Sequence, residues 1–140
     1  MKQIPVIFWT GTGNTQMMAD AIAEAINAAG AEAVVKNVSE ITADEAAGYD
    51  ALALGCPAMG AEVLEECEFE PFFIELEGKL AGKKVALFGS YGWGGTYMQD
   101  WEARVKDAGA TLVADGVLAL GAPDDEAMAK LAEAGKLLAE

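Results

Sequence analysis

Apolar positions along this chain fall into two alternating patterns, short continuous runs and longer stretches of helical period. Val6 to Trp9 is a compact apolar run, as a strand buried on both faces requires. After the next loop Met18, Ile22, Ala25, Ile26 and Ala29 recur on one helical face, and Gly30 stops that helix. Ala33 to Val38 reads as a second strand, Tyr49 to Gly55, with its Ala-Leu-Ala-Leu core, as a third, and Lys84 to Gly89 as a fourth. Between the last two, Phe69 to Leu76 carries a short helical pattern with Pro71 in its first turn. A further helix begins near Thr96 and places Tyr97, Trp101 and Val105 on its inner face. Thr111 to Leu120 is the fifth strand. Pro123-Asp124-Asp125-Glu126 then opens a last helix, with acids at the positive end of its dipole and Met128, Leu131, Gly135 and Leu138 inward.

Strands separated by helices imply an α/β architecture with a parallel sheet covered on both faces. Pro5 is compatible with this only as the first residue of its strand, because proline cannot donate to a ladder. In open sheets of this kind ligands bind beyond the carboxyl ends of the strands. The loops after strands one, three and four are therefore the places to look for chemistry.

Composition narrows the choice. The 140 residues, 53% hydrophobic, suit one domain spanning 1–140. No histidine is present, which excludes a Ser-His-Asp triad, a His-bearing zinc site and a histidine pH switch. Twenty-three acids against nine bases give a net charge of -14, and the pI near 4.2 argues against nucleic acid. No run approaches the roughly 20 apolar residues of a membrane span, and the N-terminal run is too short for a signal segment. Cys56 and Cys67, ten residues lying between them, match no metal or redox spacing. Both read as free, buried thiols in a reducing cytoplasm.

The first loop is Trp9-Thr10-Gly11-Thr12-Gly13-Asn14-Thr15, between the first strand and the first helix. Hydroxyls, an amide and free backbone N–H groups suit a phosphate held by hydrogen bonds alone. It is not a Walker loop, since no lysine follows, and Gln16 occupies the third glycine of a dinucleotide fingerprint. An ordinary turn rich in capping residues accounts for this loop equally well. In the second loop, Gly55-Cys56-Pro57-Ala58-Met59-Gly60-Ala61-Glu62, a polarisable thioether can lie over a ring and a carboxylate can accept a ring N–H. The third, Phe88-Gly89-Ser90-Tyr91-Gly92-Trp93-Gly94-Gly95-Thr96, sets a flat indole between glycines, where a core role is hard to assign to it. Together the loops describe a site for a planar, polar-edged ring with a phosphate tail. Flavin mononucleotide (FMN) answers that description.

The three motifs resemble those of the flavodoxins. Thr10 to Thr15 is similar to that family's phosphate loop, (Ser/Thr)-x-Thr-Gly-x-Thr, and Cys56 to Glu62 and Phe88 to Gly94 are similar to the flavin loops of short-chain flavodoxins from clostridia and related anaerobes. The resemblance implies a three-layer α/β/α sandwich with a five-stranded parallel sheet in the order 2-1-3-4-5. It implies noncovalent FMN and low-potential one-electron transfer between redox proteins through the semiquinone/hydroquinone couple, without substrate turnover. The implied partners are reductases and oxidoreductases with basic docking surfaces, met by a monomer, with neither nucleic acid nor membrane involved. By the same resemblance Thr10, Thr12, Gly13, Asn14, Thr15 and Ser90 hold the phosphate, alongside Gly11. Met59 and Trp93 flank the ring, Glu62 takes its N3 edge, and backbone around Gly60, Ala61, Gly92 and Trp93 meets N5, N1 and O2. Pro57, Ala58, Tyr91 and Gly94 complete the lining.

Two departures stand out. Pro57 replaces a serine that helps with the phosphate in some relatives. Ala61 stands where clostridial relatives carry aspartate or another residue at ease with positive φ. In the family the peptide after the glycine flips on reduction, which puts Ala61 at the third position of a type II turn. That conformation costs alanine roughly 1–2 kcal/mol, so a less stabilised semiquinone is expected. The second and third loops have no basic side chain nearby in sequence, while Glu62, Glu65, Glu66, Glu68, Glu70, Asp100 and Glu102 lie there. This acidic field is expected to lower the second potential.

Other readings fit less well. A receiver domain needs an aspartate where Gly55-Cys56 stands, and a Cys-x5-Arg phosphatase needs an arginine where Glu62 or Phe73 stands. An FMN-dependent quinone reductase is the serious enzymatic alternative, and a non-redox phosphate-binding module is a third.

Overall fold

The computed structural model describes residues 2–11, 13–59, 64–92 and 95–140. Six strands occur among them: β1 (Gln3–Phe8), β2 (Glu32–Asn37), β3 (Ala51–Gly55), β4 (Lys84–Tyr91), β5 (Thr111–Leu112) and β6 (Val117–Leu120). Five α-helices accompany them: α1 (Asn14–Ala28), α2 (Ala43–Ala47), α3 (Phe69–Glu77), α4 (Tyr97–Asp107) and α5 (Asp125–Ala139). Every pairing is parallel, in the order β2-β1-β3-β4-β5, and β6 also pairs with β4. β5 and β6 lie successively along the same edge of β4, so the expected fifth strand is present but broken. At the break Gly116 turns its N–H to the Glu102 carboxylate at 2.7 Å, and a Cβ on Gly116 would collide with Met98.

The core is double, as a covered sheet demands. On one face α1 and α5 pack Met18, Ile22, Ile26, Leu131 and Leu138 against Val6, Phe8, Ala53 and Phe88. On the other, α3 and α4 pack Phe69, Phe73, Tyr97 and Trp101 against Ile7, Leu52, Leu54 and Leu87. Trp101 is a core residue, meeting Phe69 and Phe73 edge-on at 5.5 and 6.0 Å. Arg104 joins α4 to α3 by a fork onto Glu70 (2.8 and 2.7 Å) and a bond to Glu77 at 3.1 Å.

Some sequence expectations need correction. Met128 is 43% exposed, and Ala127 holds the inward position one residue earlier, followed by Leu131, Ala134 and Leu138. Gly135 is inward as expected. A Cβ there would come within 2.8 Å of Ala25 and 2.9 Å of the Ile22 carbonyl, so its absence lets α5 cross α1 closely. Ala29 is exposed, because α1 has ended by then. Cys67 is exposed rather than buried. Pro5 is the third residue of β1, not its first. Pairing with β3 begins only at Val6↔Ala53, however. Trp9 donates towards β3, and by the two-residue period Pro5 points the same way, beyond the paired stretch. The missing N–H therefore interrupts nothing.

Candidate functional site

Strand order reverses between β1 and β3, and a crevice opens beyond their carboxyl ends, as the rule for doubly wound sheets requires; flavodoxins are themselves a standard case of that rule. Gly13 (φ 92°) turns the first loop into α1 as its N-cap. Its N–H is taken by Thr10 Oγ1 at 3.0 Å. Among the described residues no side chain caps α1, and no acid stands in its first turn. A turn built for capping would spend its hydroxyls there. Of the described hydroxyls, that of Thr10 accepts from Gly13 N–H within the loop and that of Thr15 meets Ser90.

Thr15 and Ser90 are almost fully buried, and their hydroxyl oxygens lie 3.2 Å apart. That bond uses one of their two protons. The other remains to donate, beside a helix N-terminus that favours negative charge. Hydroxyl protons, free amides and the helix dipole converge without a lysine, so the residues present fit a phosphate monoester.

The second loop leaves the sheet at Cys56, whose N–H donates to Phe88 O at 3.1 Å. Ala58 N–H then donates to Ser90 O at 2.9 Å, so the loop runs beside the end of β4. Tyr97 donates its hydroxyl to the Cys56 carbonyl at 2.8 Å. Gly89 makes that possible, since a Cβ there would collide with both oxygens. The loop returns at Glu65, whose N–H reaches Cys56 Sγ at 3.3 Å. Burial pushes the Cys56 thiol up to about 12, opposed by that N–H and aided by the charge of Glu65. A thiol this hard to ionise is inert. The Glu65 carboxylate accepts from Cys67, Glu68 and Phe69 N–H at 2.8, 2.7 and 2.9 Å. Burial raises its pKa, but these three donors prevail and hold it below the usual carboxylate range.

A cleft of about 340 Å³ lies between these loops. It gathers Gly11 and Asn14 from the first loop, Pro57, Ala58 and Met59 from the second, and Ser90, Tyr91 and Gly92 from the third. The volume falls at the lower end of the ~300–1,000 Å³ typical of small-molecule sites. Thr10, Gly13 and Thr15 stand beside it. Thr12, Gly60, Ala61, Glu62, Trp93 and Gly94 lie outside the described residues. One lining residue stands outside all three loops: Gly121, whose N–H reaches Tyr91 O at 3.1 Å. Trp9, at the head of the first loop, lines the cleft as well, a role the sequence did not assign to it.

The acidic field is thinner than the sequence implied. Glu65 is consumed as a cap, Glu70 is neutralised by Arg104 and Glu102 is tied to Gly116. Glu66 and Asp100 remain exposed, as does Glu68, which accepts from Trp9.

The family model for flavodoxin matches residues 6–135. The chain belongs to the flavodoxin family. It is 48% identical to a flavodoxin of Clostridium beijerinckii, over 96% of this chain and 97% of that one. It is 47% identical to a flavodoxin of Megasphaera elsdenii over 82% and 85% of the two chains. The solution structure of two-electron reduced Megasphaera elsdenii flavodoxin superposes with a TM-score of 0.90 at 43% identity, covering 97% of this chain and 98% of that one. As a short-chain flavodoxin, it is a low-potential one-electron carrier with noncovalent FMN, and not an enzyme with a substrate of its own. Among the described residues no helix is long and apolar enough to cross a membrane.

Proposed function

We propose that FMN binds in the cleft with its phosphate in the first loop and its ring between the second and third. The buried Thr15–Ser90 hydroxyl pair beside the uncapped α1 N-terminus carries this reading. When bound, the flavin supplies one-electron chemistry, and the side chains bind and tune it. Thr10, Gly11, Thr12, Gly13, Asn14, Thr15 and Ser90 hold the phosphate, Thr15 and Ser90 giving one hydroxyl proton to it. Pro57, Ala58, Met59, Tyr91 and Gly92 wall the cleft against water, with Trp93 and Gly94 beside them. Met59 and Trp93 cover the two ring faces. Glu62 accepts from its N3 edge, and backbone at Gly60 and Ala61 faces N5.

The chain acts as a single domain and a monomer in a reducing cytoplasm, a setting in keeping with two free cysteines. Its partners are redox proteins with basic docking surfaces, matched to the net charge of -14. An absorption spectrum followed through stepwise dithionite reduction tests the reading. Flavin bands that change in two resolved one-electron steps are expected. A colourless protein that takes up no FMN overturns it, and NAD(P)H oxidation by the isolated protein favours a quinone reductase instead.

A further inference from the structure

Trp9 bridges the first loop and the turn that leads into α3. Its backbone N–H belongs to the sheet, donating to Gly55 O at 3.0 Å. Its indole Nε1 donates to Glu68 Oε1 at 3.2 Å, in the turn where the second loop rejoins α3. The far edge of the ring lies under Gly11: a Cβ on Gly11 would stand 3.1 and 3.3 Å from ring carbons of Trp9. The ring is thus held from both sides, by a carboxylate at its N–H and by the first loop at its benzo edge. Glu68 is itself fixed, its N–H bonded to the Glu65 carboxylate and its carbonyl accepting from Phe72 at 3.3 Å.

We propose that Trp9 and Glu68 form a brace that sets the position of the first loop at Gly11, and so contributes to the preference for a flavin carrying a phosphate over one without. Glu68 is a positioning residue acting through Trp9, and Trp9 is a wall of the cleft. A phosphate held only by hydrogen bonds depends steeply on where its donors stand. A loop resting on an untethered ring presents those donors less well, while a flavin lacking phosphate does not use them. The inference rests on the phosphate occupying the first loop.

The test compares FMN-loaded and riboflavin-loaded protein, diluted until the released flavin fluorescence reports each Kd. In Glu68→Ala the Kd for FMN rises about fivefold, the weight of one modest hydrogen bond, and that for riboflavin is unchanged. Trp9→Phe removes both the N–H and the benzo edge beneath Gly11 and raises the FMN Kd by at least as much; Glu68→Ala adds nothing further in that background. Glu68→Gln, which keeps an acceptor, stays near wild type. The brace is overturned by an unchanged FMN Kd in either single variant, by an equal loss of riboflavin in Glu68→Ala, or by multiplying effects in the double variant. Far-ultraviolet circular dichroism monitors folding, and if Trp9→Phe folds poorly, the exposed Glu68→Ala and Glu68→Gln pair decides alone. Wild type that binds riboflavin as tightly as FMN refutes the phosphate assignment instead of the brace.

Discussion

At the scale of single residues, the described part of the site rests on a few hydroxyl protons. Thr15 and Ser90 share two hydroxyl protons and pair with each other through one. Thr15→Val keeps the shape and removes a hydroxyl, leaving Ser90 buried without this partner. We expect FMN to bind about tenfold more weakly, at roughly 1.4 kcal/mol per decade, with riboflavin affected less. Fluorescence titration reads both. Ala61 is a separate matter, tied to the backbone flip that the family resemblance brings. Relieving alanine of a positive φ in Ala61→Gly should raise the first-electron potential by tens of millivolts, at about 59 mV per tenfold. A potentiometric titration in which the two proteins coincide rules this out.

Elements are joined by polar contacts that apolar periodicity does not reveal. Glu65 ties the start of α3 to the base of the second loop, through three N–H groups and the neighbouring Cys56. Its pKa is depressed on folding, so its stabilisation is whole above the unfolded value, about 4.3, and disappears as pH falls through the lower folded one. Glu65→Gln should therefore lose about 1–2 kcal/mol at pH 7, as a lost cap does. The gap from wild type should close as pH falls below roughly 4. Urea unfolding at fixed FMN concentration measures it, and a gap constant with pH excludes the ionised cap. The main elements were legible because their apolar runs are compact. What escaped was short or polar. Helix α2, only five residues long, was missed although Thr42 and Glu45 form a reciprocal capping box, a signature visible as Thr-x-x-Glu. The break between β5 and β6 was missed because Val113 and Ala114 continue the apolar run, and only the side chains of Glu102 and Met98 reveal the turn. Met128 misled because Ala127, small but buried, carries no strong hydropathy signal. At the site, loop chemistry named the cleft lining from all three segments. Trp9 stands both in the strand run and at the head of the first loop, and the part its ring plays in the cleft wall shows in neither.

For the molecule as a whole, charge acts at a distance while local acids are partly spent. Glu65, Glu70 and Glu102 are engaged in internal contacts, yet the net charge of -14 persists. Electron exchange with a basic redox protein should slow as salt rises, most steeply where the Debye length falls from about 30 Å at 0.01 M to about 10 Å at 0.1 M. Stopped-flow rates against a basic and an acidic acceptor check this. Equal salt slopes for the two would remove charge from partner choice. The broken edge has a consequence of another kind. Unpaired strand edges recruit one another between copies of a chain. One margin of this sheet is cut in two between Leu112 and Val117, and the other, β2, bears Glu32 and Lys36. Neither offers a long, uncharged template, so the turn at Gly116 is a safeguard against fibrous self-association.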